Sequence, residues 1–260
     1  MIRTLFIIAG AALVLCVVTV GGALAIGGAD LQRHGWAWTF KDDDGESIRF
    51  ERVTAEGADD LGPLTTRTLP WTGGETLRLE SAVDVDYVQG PANTVVITGP
   101  KGLADRVQLE NGRLFLADGE ERVIVGWSNR HLSATSERDA LKIVVTTPNV
   151  KRFEVEGSSD VRISGYDQPT LALDISGSAE VTAEGAARTL DLDISGSGEA
   201  FLDDLRVTDA TADISGSCDA HMAPTGEVQV TISGSGDVAL SGRPAKLTTD
   251  ISGSGDVYQD

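Results

Sequence analysis

Apolar and polar positions alternate with a period of two along most of this chain. From about Thr66 onward the pattern is plain in "TLRLESAVDVDYV", "NTVVITG", "GRLFLADG" and "LKIVVTTPNV". These runs are a few residues long and are separated by Gly, Pro, Asn and Asp, which predicts short strands joined by turns and an all-β fold. No long amphipathic helical stretch follows residue 30. Segment 46–53 reads as one short strand, and 126–140, "GWSNRHLSATSERDA", reads as a polar loop.

The second half of the chain repeats itself. The phrases are "VEGSSDV" (155–161), "ISGSAEV" (175–181), "ISGSGEA" (194–200), "ISGSCDA" (214–220), "ISGSGDV" (232–238) and "ISGSGDV" (251–257). Their starts are 20, 19, 20, 18 and 19 residues apart, a nearly fixed period of the kind a stacked solenoid produces. Reading back from each Ile gives alternating partners such as Leu171-Leu173-Ile175 and Leu190-Leu192-Ile194, so each phrase ends a strand with those residues on one face. Stacking at one strand spacing, about 4.8 Å, would place Ile175, Ile194, Ile214, Ile232 and Ile251 in one interior column.

The third place of the phrase is always Gly: Gly157, Gly177, Gly196, Gly216, Gly234 and Gly253. A site restricted to Gly needs positive φ or close backbone approach. The fifth place holds Ser159, Ala179, Gly198, Cys218, Gly236 and Gly255, and asks only for a small side chain. The phrase is therefore a corner, with Gly177, Gly196, Gly216, Gly234 and Gly253 as its structural turn residues. The expected fold is a single-stranded parallel β-helix, right-handed, with an irregular β N-terminal part and an N-terminal transmembrane or signal helix before it.

Composition fixes the surroundings. "MIRTLFIIAGAALVLCVVTVGGALAIGG" has Arg3 and then no charge from Thr4 to Ala29, long enough to span a bilayer with roughly 20 apolar residues. Ala23-Leu24-Ala25 is at the same time an A-x-A cleavage pattern, so residues 1–27 are a signal peptide cut after Ala25 or an uncleaved anchor. Residues 28–65 read as a linker, with Trp36, Trp38 and Phe40 placed for a membrane interface. The β-helix domain spans 66–258, with irregular strands over 66–150 and regular coils over 151–258. A net charge of −19 argues against nucleic acid or an anionic membrane surface as partner. Cys16 and Cys218 cannot plausibly meet, which leaves no disulfide framework.

"ISGSGDV" recurring at about 19 residues, after an exported start and the lead-in "LRLESAVDVDYVQG", resembles the bacterial putative autotransporter-adhesin head (GIN) domain family over roughly residues 66–258. That resemblance implies a parallel β-helix on an exported envelope protein and carries no catalytic residues.

Two acidic columns follow from the stacking. Asp174, Asp193, Asp213 and Asp250, with Thr231 interrupting, precede the Ile; Asp160, Glu180, Glu199, Asp219, Asp237 and Asp256 close the phrase. Like charges one coil apart repel by roughly 0.9 kcal/mol even in water. Either the carboxylates accept bonds from Ser hydroxyls and turn amides, or calcium offsets them at Asp174, Asp193, Asp213, Asp250, Asp237 and Asp256, although the GGxGxD nonapeptide is missing. His34, His131 and His221 are scattered, and no nucleophile elbow, phosphate loop or H-E-x-x-H occurs. No cofactor is expected, and no catalytic residue. The loop residues Trp127, Asn129, Arg130 and His131 form a polar-aromatic mix that could recognise a ligand. The expected function is a structural or binding module of the bacterial cell envelope, adhesive in character, with an envelope or extracellular ligand such as a polysaccharide. A polysaccharide-acting β-helix enzyme and a calcium-dependent binder are the alternatives. The last coil also leaves an edge at which two copies could meet end to end.

Overall fold

The computed structural model describes residues 37–41, 47–53, 63–80, 83–128 and 131–259. The expected signal or anchor helix over 1–27 lies outside them. The strands, in chain order, are β1 (Ala37–Lys41), β2 (Ser47–Val53), β3 (Leu64–Pro70), β4 (Thr76–Glu80), β5 (Val85–Gln89), β6 (Thr94–Pro100), β7 (Val107–Glu110), β8 (Arg113–Leu116), β9 (Glu120–Ser128) and β10 (His131–Ser136). They continue as β11 (Lys142–Thr147), β12 (Arg152–Gly157), β13 (Asp160–Gly177), β14 (Glu180–Gly196), β15 (Glu199–Gly216), β16 (Asp219–Pro224), β17 (Glu227–Gly234), β18 (Asp237–Leu240), β19 (Lys246–Gly253) and β20 (Val257–Gln259). One helical turn, α1 (Lys101–Ala104), follows β6, and a 3-10 turn (Glu137–Ala140) follows β10.

The chain divides into two compact units, Met1–Asp60 with Gly119–Ser136 and Leu61–Asp118 with Glu137–Asp260. The first contains a four-stranded sheet ordered β1-β2-β9-β10. β1 and β2 are antiparallel, β2 and β9 parallel, and β9 and β10 antiparallel. β1 and β2 fall inside the stretch read as a linker. The expectation of a loop over 126–140 is corrected here: Gly126–Ser128 ends β9, residues 131–136 are β10, and the 3-10 turn closes the stretch. Backbone pairing decides this. Trp127 pairs with Leu132 and Val125 with Ala134 in an antiparallel ladder, which main-chain hydrogen bonds hold.

The second unit is a parallel β-solenoid of about five turns. Its long strands β13, β14 and β15 bend, so each runs most of the way round a coil and pairs with the next in two separate ladders. In the first, Val161 pairs with Val181 and Val181 in turn with Ala200, and the ladder continues through β16, β18 and β20. In the second, Ile175, Ile194, Ile214, Ile232 and Ile251 pair each with the next, through β17 and β19. Between them a register shift after Ile163 marks another corner, where Gly165 and Gly185 lie at φ 65° and 133°. β4 and β12 extend the second ladder upward and β5 extends the first, after which β11, β6 and β3 continue as a sheet of mixed sense.

The expected aliphatic column is real and dry. Val155, Ile175, Ile194, Ile214 and Ile232 are at most 2% exposed, each contributing on the order of 1.5–3 kcal/mol of burial. Ile251, on the last coil, is 40% exposed because no further coil covers it among the described residues. At the other end the interior is aromatic. Tyr87 meets Phe153 edge-on with centroids 5.0 Å apart, and Phe153 meets Tyr166 at 6.5 Å. The Tyr87 hydroxyl donates to the Thr147 carbonyl at 2.8 Å and that of Tyr166 to the Thr170 carbonyl at 2.6 Å, so both phenols are buried with a partner. Burial pushes the Tyr87 hydroxyl up to about 12.

Candidate functional site

The "SGS" corner sets which side chains reach the outer surface. Gly216 sits at φ 118°, and a Cβ there would lie 2.3 Å from the Gly196 carbonyl oxygen of the coil before. The third place thus needs both left-handed φ and a missing side chain, because successive corners stack backbone on backbone. The fifth place lies outside the left-handed region and points inward: Ser159, Ala179 and Cys218 are all buried. The Cys218 thiol donates to the Gly196 carbonyl at 3.3 Å, and burial raises its pKa, so it behaves as a small corner filler.

The two acidic columns form as spaced in the sequence, and they lie on different ladders. Asp174, Asp193 and Asp213 are aligned along the second ladder, with Thr231 and then Asp250 below. At its upper end the column is neutralised, since the Arg78 guanidinium donates to Glu154 and that of Arg152 to Asp174. Asp193 has no such relief. Burial first, then Asp174, Asp213 and Asp191, raises its pKa above the ordinary 3.8.

Glu180, Glu199, Asp219 and Asp237 are aligned along the first ladder. Here the repulsion is offset by backbone donors. The Asp237 amide donates to Asp219 Oδ1 at 3.2 Å, the Asp256 amide to Asp237 Oδ1 at 2.9 Å, and the Asp160 amide to Asp84 Oδ1 at 3.3 Å. Each such aspartate caps the strand start of the next coil. Because Asp237 and Asp256 stand on a different ladder from Asp174, Asp193, Asp213 and Asp250, the calcium candidates do not converge on one point. Among the described residues no three of His, Cys, Asp and Glu are grouped to hold a metal ion.

Beside this column runs a feature that the sequence reading missed. Two residues after the acid, Phe201, His221, Ala239 and Tyr258 occupy equivalent register positions on successive coils, Ala239 being buried. The Phe201 and His221 rings are stacked, with centroids 5.3 Å apart and planes 18° from parallel. Tyr258 is 44% exposed. Their common place in the repeat, just beyond each Glu or Asp, was the available signal. On the corner between the ladders an open groove of 730 Å³ is edged by Arg188 and Arg206, neither of which forms an ion pair among the described residues. Of the other residues singled out in the sequence, Trp127 lies in β9 and His131 starts β10, while Asn129 and Arg130 lie outside the described residues.

Residues 75–244 match the family model described as "Putative auto-transporter adhesin, head GIN domain". The chain belongs to this family. One solved structure agrees with the fold of this GIN domain, and two more are similar at lower TM-scores. A putative adhesin from Bacteroides fragilis NCTC 9343 is 19% identical with a TM-score of 0.58, over 76% of this chain and 97% of that one. A putative adhesin from Parabacteroides merdae ATCC 43184 is 16% identical with a TM-score of 0.46, over 80% and 99%. A putative lipid binding protein from Parabacteroides distasonis ATCC 8503 is 17% identical with a TM-score of 0.44, over 81% and 100%. No match is found among curated proteins. Within the GIN domain no helix of the described residues is long and apolar enough to cross a membrane.

Proposed function

We propose that the chain is an exported module of the bacterial cell envelope that acts by binding a polymeric ligand, in an adhesive role, without catalysis. One observation carries this reading. The outer surface of the coils repeats the same kinds of side chain in register, coil after coil, and a periodic surface suits a periodic polymer such as a polysaccharide. Membership of an adhesin-head family supports it. The carboxylates of Asp219 and Asp237 accept bonds from the amides of Asp237 and Asp256 on the next coils, a structural use. In this reading the columns are caps rather than calcium sites, and no cofactor is needed.

The uncharged run from Thr4 to Ala29 would take the module out of the cytoplasm and hold it to the membrane. The coils would wind right-handed, as parallel crossovers within one sheet do almost without exception.

A sedimentation assay with insoluble polysaccharides and peptidoglycan tests the reading. Retention on at least one polymer, with no release of reducing ends, is the expected result. Release of reducing ends would show an enzyme instead. Membrane fractionation with N-terminal sequencing tests the anchor: an intact Met1 in the membrane fraction is expected, and a new N-terminus at Ile26 would mean cleavage.

A further inference from the structure

We infer that the groove edged by Arg188 and Arg206 binds a uronate unit of a glycan in which charged and neutral sugars alternate. This rests on reading the chain as an envelope binding module, and it names that module's site and ligand class.

Basic side chains are scarce on the regular coils, and most are already used. Lys151 pairs with Glu75, Arg152 with Asp174, Arg162 with Asp86 and Lys246 with Glu227. The others of residues 151–258 are Arg188, Arg206 and Arg243, which form no ion pair among the described residues. All three lie on the corner between the ladders. Arg188 and Arg206 edge its groove. Arg243 belongs to a segment laid over residues 222–225 by the amides of Ser241 and Ala245, and Pro224 in turn pairs with Val207. In a chain of net charge −19, a corner that gathers every unused cation of the coils is a local reversal of sign.

The groove is open to solvent and measures 730 Å³. Register places its walls. Ala186 pairs with Asp167 on one side and with Arg206 on the other. Arg188 follows Ala186 by two positions and leaves the same face, whereas Ala187 and Val207 are buried. The Cα atoms of Arg188 and Arg206 are therefore one strand spacing and two residues apart, about 8 Å. Two long side chains rooted at that separation can meet on one carboxylate, and each guanidinium offers it a two-pronged donor. Asp167 stands beyond Ala186, two strand spacings or about 9.6 Å from Arg206. Ala186 and Pro169 add apolar surface, and Gln168 is held by donation to the Pro148 carbonyl at 2.6 Å. Cations at one end, an acceptor at the other and apolar surface between match a uronate sugar, with its carboxylate, its hydroxyl donors and its C–H faces. The charge on the ligand must be sparse. Asp167 and the net charge of −19 repel a run of adjacent carboxylates, and the next unpaired cation, Arg243, lies two coils beyond Arg206.

The test is calorimetric titration of the full-length chain in neutral detergent. The probes are a hexasaccharide alternating glucuronate with N-acetylglucosamine, the same hexasaccharide with its carboxyls reduced to alcohols, hexagalacturonate, and polyglycerol phosphate. The alternating hexasaccharide is expected to bind about tenfold more tightly than any of the others. Arg188→Gln and Arg206→Gln should each weaken it about three- to tenfold. The double variant should bind it no better than the reduced form, at an unchanged melting temperature, because both side chains are exposed and unpaired among the described residues. Ala186→Asp, which sets a carboxylate beside Arg206, should abolish binding, and Arg162→Gln, on the first ladder, should leave it unchanged. No binding of the alternating hexasaccharide, equal binding of its reduced form, or indifference to the double variant overturns the assignment. Tighter binding of hexagalacturonate or polyglycerol phosphate overturns the ligand class. If any probe binds and the arginine variants leave it unchanged, the groove is wrong while the binding-module reading stands. If no probe binds and no polymer retains the chain in sedimentation, both fail.

Discussion

At the scale of single residues, two glycines that look alike in the sequence carry different costs. Gly216 combines φ 118° with a backbone oxygen 2.3 Å from any added Cβ, whereas Gly165 combines φ 65° with open space. Gly165→Ala should cost about 1–2 kcal/mol, the ordinary penalty of left-handed backbone. Gly216→Ala adds a clash that the stacked corners cannot relax, and it should cost clearly more by urea denaturation. Equal losses would mean that corner stacking adds nothing. Ile214→Ala, at a position 2% exposed, should cost about 2–5 kcal/mol. The same residues show what was legible in sequence. Gly in every third place of the phrase announced a backbone constraint, and Ala179 with Cys218 in the fifth announced a merely small site. The corner at Gly165 and Gly185 was not legible, because the third coil passes it with Asp203, Asp204 and Leu205 and no glycine.

At the scale of elements, the acidic columns show how a ladder handles repeated charge. Asp84 and Asp193 have carboxyls raised above 3.8, with burial as the main cause in both. A carboxyl whose folded value is raised resists ionisation in the fold. Its penalty is therefore absent below 3.8 and fully present above the folded value, and the fold gains stability from these groups as pH falls through that interval. Asp193→Asn should accordingly melt higher than the parent at pH 7, with the difference closing as the pH approaches 3.8. A variant that melts lower at pH 7 would show that Asp193 is needed as an anion. On the other ladder Asp237→Ala should cost about 0.5–1.5 kcal/mol through the uncapped Asp256 amide, while Asp237→Asn should be near neutral. The columns were readable from spacing alone. Their separation onto two ladders was not, because the bend after Ile163 has no constant sequence mark. Nor was β10 readable, since "HLSATS" takes its place through its backbone pairing with β9.

At the scale of the whole molecule, stacked repeats couple only to their neighbours, so stability should fall toward a coil covered on one side alone. Ile251 is 40% exposed where Ile194 is fully buried, and the amides of β19 should exchange with deuterium well before those of β14. The solenoid was legible in outline from the repeat period, and so were most of the strands that precede it; their mixed pairing and the sheet of the first unit were not, because the partners lie far apart in sequence, as in the pairing of Glu51 with Ile124. In-register stacking of parallel coils underlies every claim above, and disulfide trapping tests it most directly. With Cys16 and Cys218 replaced by Ala, cysteines are introduced at Asp191 and Thr211, which face each other on β14 and β15, and in a second variant at Asp191 and Gln229, one coil further on. Mild oxidation should close the first pair and leave the second open, as read by mass spectrometry of non-reduced peptides. A 191–229 bond forming as readily as 191–211, or neither forming in folded protein, would contradict the stacked-coil structure.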